Sequence, residues 1–227
     1  MTRRPTPLPT PKRQIGRPKG STSEATRERI LAAARICFAR TGYAATTNKD
    51  IADHADVTAA AIYLYFDSKT ALYLAAVQDA NEKLVLHYRR AIAETTTVRD
   101  GFRALLSTSA RLLHERDPSL AAFLSALPVE MQRHPEIAEA IIATPNEVVA
   151  IVEEMVEAGV RSGEVARGVA RYLGATFVAC AMGFSLYFAT VDTSHPGEMV
   201  DVFGALLDGT LFHARPPTRR RRARRWR

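Results

Sequence analysis

The chain is 227 residues long, 47% hydrophobic and 24% charged, an ordinary globular composition with room for one or two small domains and their cores. Its two cysteines, Cys37 and Cys180, lie far apart in helical apolar patterns, which argues against a disulfide framework and for a reducing cytoplasm. The net charge of +7 divides unevenly: residues 1–22 carry six cations and residues 215–227 eight arginines, neither with an acid, so the body 23–214 is −7.

Cationic, proline-containing ends on an acidic body suit a polyanionic partner, although the C-terminal arginine run reads equally as a solubilising tail. Residues 1–20 are basic and proline-rich without an apolar core, so no signal peptide is expected. No apolar run is expected to span a membrane. Residues 172–191, interrupted by Gly174, Cys180, Gly183 and Ser185, read as a buried helix.

From Ser23 onward the periodicity is helical, and nothing alternates as a strand would. Ser21 or Ser23 is the expected cap of a first helix, with Glu24 completing a capping box. Its apolar stripe is Ile30, Ala33, Ala34, Cys37 and Phe38, and Thr41-Gly42 ends it. Thr47 opens a short second helix with Asp50 three places on; Ile51, Ala52 and Ala55 face inward. After a turn at 54–57, Thr58 caps a third helix whose inward residues are Ile62 and Phe66.

Asp67-Ser68 caps a long fourth helix, near 69–94, with Leu72, Ala76, Leu84 and Leu86 on its apolar side. Further helices are expected near 99–115, 119–132, 136–143, 145–161, 164–190 and 198–213, punctuated by Pro118, Pro135, Pro145, Gly163 and the 194–197 turn. Thr144-Pro145-Asn146-Glu147 has the form of a helix start, with cap, N1 proline and acid. The expectation is an all-α chain. It comprises a basic arm at 1–22, a three-helix helix-turn-helix unit at 23–67, a larger helical body at 68–214, and an arginine-rich tail at 215–227.

A short helix, a tight turn and a second short helix behind a longer one make a helix-turn-helix, whose second helix enters the major groove. This gives Ala59, Ala60 and Ala61 a purpose. Small side chains let two helices cross closely on one side and let the backbone approach DNA on the other, where a methyl can touch thymine. Bulk follows at Tyr63 and Tyr65, whose phenols can donate to phosphate while their rings pack on sugar.

Residues 26–77 resemble the TetR family of bacterial transcriptional regulators. Phe38, Gly42, Tyr43, Thr46, Ile51, Ala52, Val57, Thr58, Tyr63, Tyr65, Phe66, Lys69 and Leu72 keep the family's order and spacing. The resemblance implies phosphate contacts from Thr47, Tyr63, Tyr65 and Lys69, assisted by helix-end N–H groups. Two positions depart from it. Ala59 and Ala60 stand where Lys and Gly are common, which shifts the expected base readout to Thr58, Asn48 and Lys49. Asp56 stands where Gly is usual in the turn, and Asp tolerates the left-handed conformation. Residues 16–20, Gly-Arg-Pro-Lys-Gly, resemble an AT-hook core, in which Arg17 would enter a narrow minor groove.

The resemblance further implies a homodimer reading a palindromic operator, formed by the last two long helices. Small residues at Gly174, Ala175, Ala179, Ala181, Gly183, Gly204 and Ala205 permit close approach. Leu173, Phe177, Leu186, Phe203, Leu206 and Leu207 would supply the area. It also implies an inducer cavity in the body, with Phe102, Leu105, Leu113, Phe123, Leu127, Met131, Phe177 and Phe184 as candidate lining for an apolar ligand. The fourth helix is the expected coupler to DNA.

No cofactor or metal site is expected; His114, Glu130 and His134 read as solvated surface. No phosphate loop or nucleophile–His–acid arrangement points to an enzyme. The expected function is a cytoplasmic, ligand-released repressor, with no membrane partner. The alternative is a DNA-architectural protein driven by the basic tails.

Overall fold

The computed structural model describes residues 19–112, 119–191 and 195–211, and every element among them is a helix. In chain order these are α1 Lys19–Ala45, α2 Asn48–Ala55, α3 Ala59–Tyr63, α4 Lys69–Ile92, α5 Val98–Leu112, α6 Ser119–Arg133, α7 Pro135–Ile142, α8 Glu147–Ser162, α9 Arg167–Thr190 and α10 Pro196–Leu207.

Local chemistry sets most boundaries where the sequence places them. Gly42, at φ 79°, interrupts α1, a conformation open to glycine and costly to other residues. Thr47 and Asp50 form a reciprocal capping box at the start of α2, and Asp56 takes the left-handed conformation in the turn. Thr58 and Ser68 accept from the backbone N–H groups of Ala61 and Ala71.

Three local expectations need correction. Helix α1 begins at Lys19, directly after Pro18, so Ser21 and Ser23 lie inside the helix and cap nothing. Helix α8 is capped by Asn146, whose Oδ1 accepts from both Val148 and Val149; an amide oxygen reaching two N–H groups outcompetes Thr144. Leu86 is 56% exposed, because α4 rotates that residue away from every neighbour.

Two cores run through the molecule, and the boundary drawn at 67/68 separates neither. The first joins Ile30, Leu31, Phe38, Ile51 and Ile62 of the DNA-binding unit to Leu72, Tyr73 and Ala76 of α4, Phe123 of α6 and Ile137 of α7. Its centre is aromatic: Phe38 meets Tyr73 edge-on at 4.9 Å, and Tyr73 meets Phe123 at 5.3 Å. Across its flank, Arg35 of α1 and Lys83 of α4 both pair with Asp79. The second core packs Val85 and Tyr88 of α4 with α5, α8, α9 and α10 around the stacked rings of Phe102 and Phe177, 4.0 Å apart. The three-helix unit is thus seated on the body through α4 and α6.

Helix α9 is not the buried helix its sequence suggests. Residues 167–187 are long and apolar enough, by length and composition, to cross a membrane, yet only 6% of that window is buried. Phe177 and Gly174 face inward, whereas Tyr172, Met182 and Leu186 are exposed. An apolar helix with one covered side leaves the other to whatever the chain meets in solution.

Candidate nucleic-acid interface and ligand cavity

Helices α2 and α3 meet through residues chosen for size. Ala52 and Ala55 are buried in α2, and Ile62 anchors α3. Thr58, Ala59 and Ala60 face outward, so the backbone of α3 can approach a surface with only methyl groups between. Thr46 is buried and donates its hydroxyl to the carbonyl of Gly42 at 2.7 Å, which aims α2 from the end of α1.

The sequence-predicted contacts fall into three groups. Lys49, Thr58, Ala59 and Tyr63 are exposed on one surface, Tyr63 by 58%. Tyr65 is half-buried beside Phe66, with its phenol oxygen accepting from Ser23 at 3.4 Å. Asn48 is half-buried, and its Oδ1 is enclosed with no hydrogen-bond partner. Arg17 lies outside the described residues.

Thr47 and Lys69 are committed elsewhere. The Thr47 hydroxyl donates to Asp50 Oδ2 at 2.6 Å and its N–H to the same oxygen at 2.9 Å. These two bonds hold the exposed Asp50 carboxyl below its ordinary value, and the resulting negative charge would oppose a phosphate there. The Lys69 ammonium donates to the carbonyls of Tyr43, Ala44 and Thr46 at 2.9, 3.1 and 3.2 Å, and lies 4.6 Å from the Tyr43 ring. Lys69 therefore caps the broken end of α1. Its three protons are used, so the phosphate donor at the start of α4 is the backbone, not this side chain.

Sequence reasoning missed Leu64, 84% exposed between the two tyrosines. An apolar side chain held out at the tip of a helix-turn-helix suits a sugar or thymine methyl. Its only sequence signal is its place between Tyr63 and Tyr65.

Behind this unit lies a cavity of about 290 Å³ between α4, α5, α6, α8 and α9. Leu84, Leu112, Leu120, Leu124, Val152 and Phe177 form much of its wall, and no charged side chain lines it. Its polar groups are Tyr88, Ser109, Ser125 and Ser185. The first two share a 2.6 Å hydrogen bond, while burial pushes the Tyr88 phenol up from its usual value.

Of the lining residues expected from sequence, only Phe177 reaches this cavity. Phe102, Leu105 and Phe123 are consumed by the two cores, Leu127 packs on the first and Phe184 on the second. Met131 points away from the cavity wall, and Leu113 lies outside the described residues. Inward direction at helical spacing marks a core face, but it cannot tell a filled layer from an empty one.

The dimer candidates divide in the same way. Phe177 is buried, and Leu173, Phe203 and Leu207 pack within their own chain. Leu186 and Leu206 are exposed, joined by Val169, Tyr172, Met182, Tyr187 and Val202, which the sequence did not single out. Gly204 makes room for Arg103, whose Nε lies 2.7 Å from where a Cβ would stand.

Glu130 and His134 are not solvated surface. Glu130 is 6% exposed, with His134 Nε2 at 3.6 Å, and a Cβ on Gly42 would meet its Oε1 at 2.9 Å. His134 meets the Tyr43 ring edge-on at 4.9 Å. Helix α6 thus walls the cavity with Leu120, Leu124 and Val129, and then, one residue on, presses Glu130 against the end of α1. No cluster that could hold a metal occurs among the described residues.

Residues 30–76 match the model for bacterial regulatory proteins of the tetR family. Over 110 residues the chain is 36% identical to the HTH-type transcriptional activator FasR of Mycolicibacterium smegmatis. That match takes in 42% of this chain and only half the length of the relative. The fatty acid degradation regulator FadR of Bacillus halodurans shares the fold at a TM-score of 0.71 and 22% identity, covering 83% of this chain and 97% of that one. FadR of Bacillus subtilis, solved in complex with stearoyl-CoA, gives 0.64 and 20% over 82% and 99%. Salmonella enterica GusR gives 0.66 and 24% over 87% and 98%. With its helix-turn-helix matched residue for residue and its body folded alike, the chain belongs to the TetR family of DNA-binding transcriptional regulators.

Proposed function

We propose that the chain is a homodimeric repressor that leaves a palindromic operator when a small, largely apolar ligand fills the cavity between α4, α5, α6, α8 and α9. The observation that carries this reading is the course of α6, which walls an uncharged cavity and then abuts Gly42 and Tyr43 through Glu130 and His134. A ligand favouring a different position of α6 would shift the separation of the two recognition helices by its differential affinity for that state. Spacing near ~34 Å suits successive major grooves. Helix α4, the coupler expected from sequence, shares this task with α6.

Lys49, Thr58, Ala59, Tyr63 and Leu64 form the DNA-facing surface, with Asn48 and Tyr65 at its edge. Arg17 adds a minor-groove contact from the basic arm. The Bacillus subtilis neighbour was solved with stearoyl-CoA, and an apolar wall without charge suits a fatty-acyl chain better than a multiply charged ligand. The matched helix-turn-helix favours sequence-specific regulation over an architectural role for the basic tails.

The test is a footprint on DNA flanking the protein's own gene, with and without stearic acid and stearoyl-CoA, alongside Tyr63→Ala. A bounded two-fold footprint that Tyr63→Ala weakens and an acyl ligand releases supports the reading. Diffuse protection indifferent to Tyr63→Ala defeats it. The 36% identical relative bears the name of an activator; a footprint upstream of the promoter, rather than across it, would replace repression by activation.

A further inference from the structure

The cavity is open on one side, and the residues at its opening also belong to the exposed face of α9. Met182, Gly183 and Leu186 line the cavity on α9, with Val129 opposite on α6. All four are exposed, Met182 by 50% and Leu186 by 46%. Along the same side of α9 run Gly168, Tyr172, Ala175 and Ala179, also exposed. At 100° per residue, positions 168, 175, 179, 182 and 186 fall within one narrow stripe.

We propose that a second copy of this chain seats on that stripe and closes the mouth of the cavity, so that the ligand site is completed only in the dimer. This rests on the apolar-ligand, homodimer reading above and adds what the partner does to the site. A stripe of small residues edged by Tyr172, Met182 and Leu186 is self-complementary, as a two-fold contact requires. Helix α9, with 24 residues, is about 36 Å long. With α10 beside it, at roughly 10 Å per helix, the face offers on the order of 700 Å² per chain, near the ~800 Å² of a standard interface.

The chemistry of the ligand follows from the same geometry. The interior supplies only hydroxyl groups, so the apolar chain enters and any polar end stays at the mouth, beneath the partner. Ligand binding and dimerisation are then linked: each strengthens the other by one common factor.

The experiment uses the full chain, the fluorescent 18-carbon fatty acid cis-parinaric acid as probe, and sedimentation velocity. Ala179 lies on the stripe and not in the cavity wall, so Ala179→Arg breaks the contact and spares the site. Wild type should bind the probe, and Ala179→Arg, monomeric with unchanged helical circular dichroism, should bind it at least tenfold more weakly. Should that variant aggregate, dilution of wild type decides the matter: probe affinity should fall as dimers dissociate, and probe should lower the dimer dissociation constant by the same factor. Equal affinity in monomer and dimer overturns the inference and leaves the apolar-ligand reading standing. No binding by wild type defeats both. A wild-type chain that stays monomeric, or that floats with phosphatidylcholine vesicles, gives the stripe to another occupant and overturns the inference.

Discussion

Lys69 closes the end of α1 against Tyr43, donating to its carbonyl at 2.9 Å and lying 4.6 Å from its ring. A cation at a helix C-terminus satisfies carbonyls left without intrahelical partners. Here it also joins the first residue of α4 to the joint between α1 and α2. Lys69→Met keeps the aliphatic stem and removes the ammonium. Hydrogen bonds to a charged group contribute about 1.5–3 kcal/mol, and this group is part-exposed, so a loss of about 1–2 kcal/mol in denaturant unfolding is expected. The slope of log K against log salt for operator binding should stay unchanged. A slope reduced by about one would assign Lys69 to a phosphate instead.

The two tyrosines should separate in a binding assay. Tyr63 is 58% exposed and spends little on packing. Tyr63→Ala should therefore weaken operator binding by roughly tenfold, about 1.4 kcal/mol, and leave thermal stability within ~0.5 kcal/mol. Tyr65→Phe removes only a long bond from Ser23 and should change both by less than a factor of three. A larger loss from Tyr65→Phe than from Tyr63→Ala would reverse the assignment.

Asp50 predicts an acid limb in the stability of α2. Its folded carboxyl is held below the ordinary value of 3.8 by the Thr47 hydroxyl, then by the Thr47 backbone N–H. A depressed folded value means the stabilisation is present above the unfolded value and is lost as pH falls through the folded one. Stability measured from about pH 5 down to pH 2 should decline less steeply in Asp50→Asn than in wild type. Identical acid limbs would remove the capping box from the account.

Gly42 should tolerate no side chain. Its φ of 79° favours glycine, and an added Cβ would stand 2.9 Å from Glu130 Oε1. Gly42→Ala should cost about 1–3 kcal/mol in unfolding free energy. The double variant with Glu130→Ala should recover the steric share alone, with a coupling of at least ~0.5 kcal/mol. Strict additivity of the two single variants would mean that α6 does not bear on this joint.

Filling the cavity should separate binding of ligand from binding of DNA. Leu124 is half-buried on the cavity wall, and Leu124→Trp adds volume where space exists. Operator affinity should be retained within threefold while release by an acyl ligand is lost. Retained release, measured by fluorescence anisotropy of labelled operator, would move the ligand elsewhere.

What the sequence by itself determined are the features closed within a few residues. Thr47 reaches Asp50 and Thr58 reaches Ala61 across three positions, and the backbone conformation at Gly42 is a property of glycine. Caps, turns and helical periodicity are local, so ten helices and the helix-turn-helix were legible, as were the buried faces of α1 to α3. The tertiary structure decided what depends on partners distant along the chain. Lys69 finds its acceptors 23 to 26 residues away, and so turns from a phosphate donor into a cap. Glu130 is buried only because α6 lies on α1. Phe102 and Phe123 became core, while Leu84, Leu124 and Val152 line the cavity. A helical stripe states which side of a helix is apolar; whether that side is packed, hollow or left for another chain depends on the neighbours' volumes, which no single segment encodes.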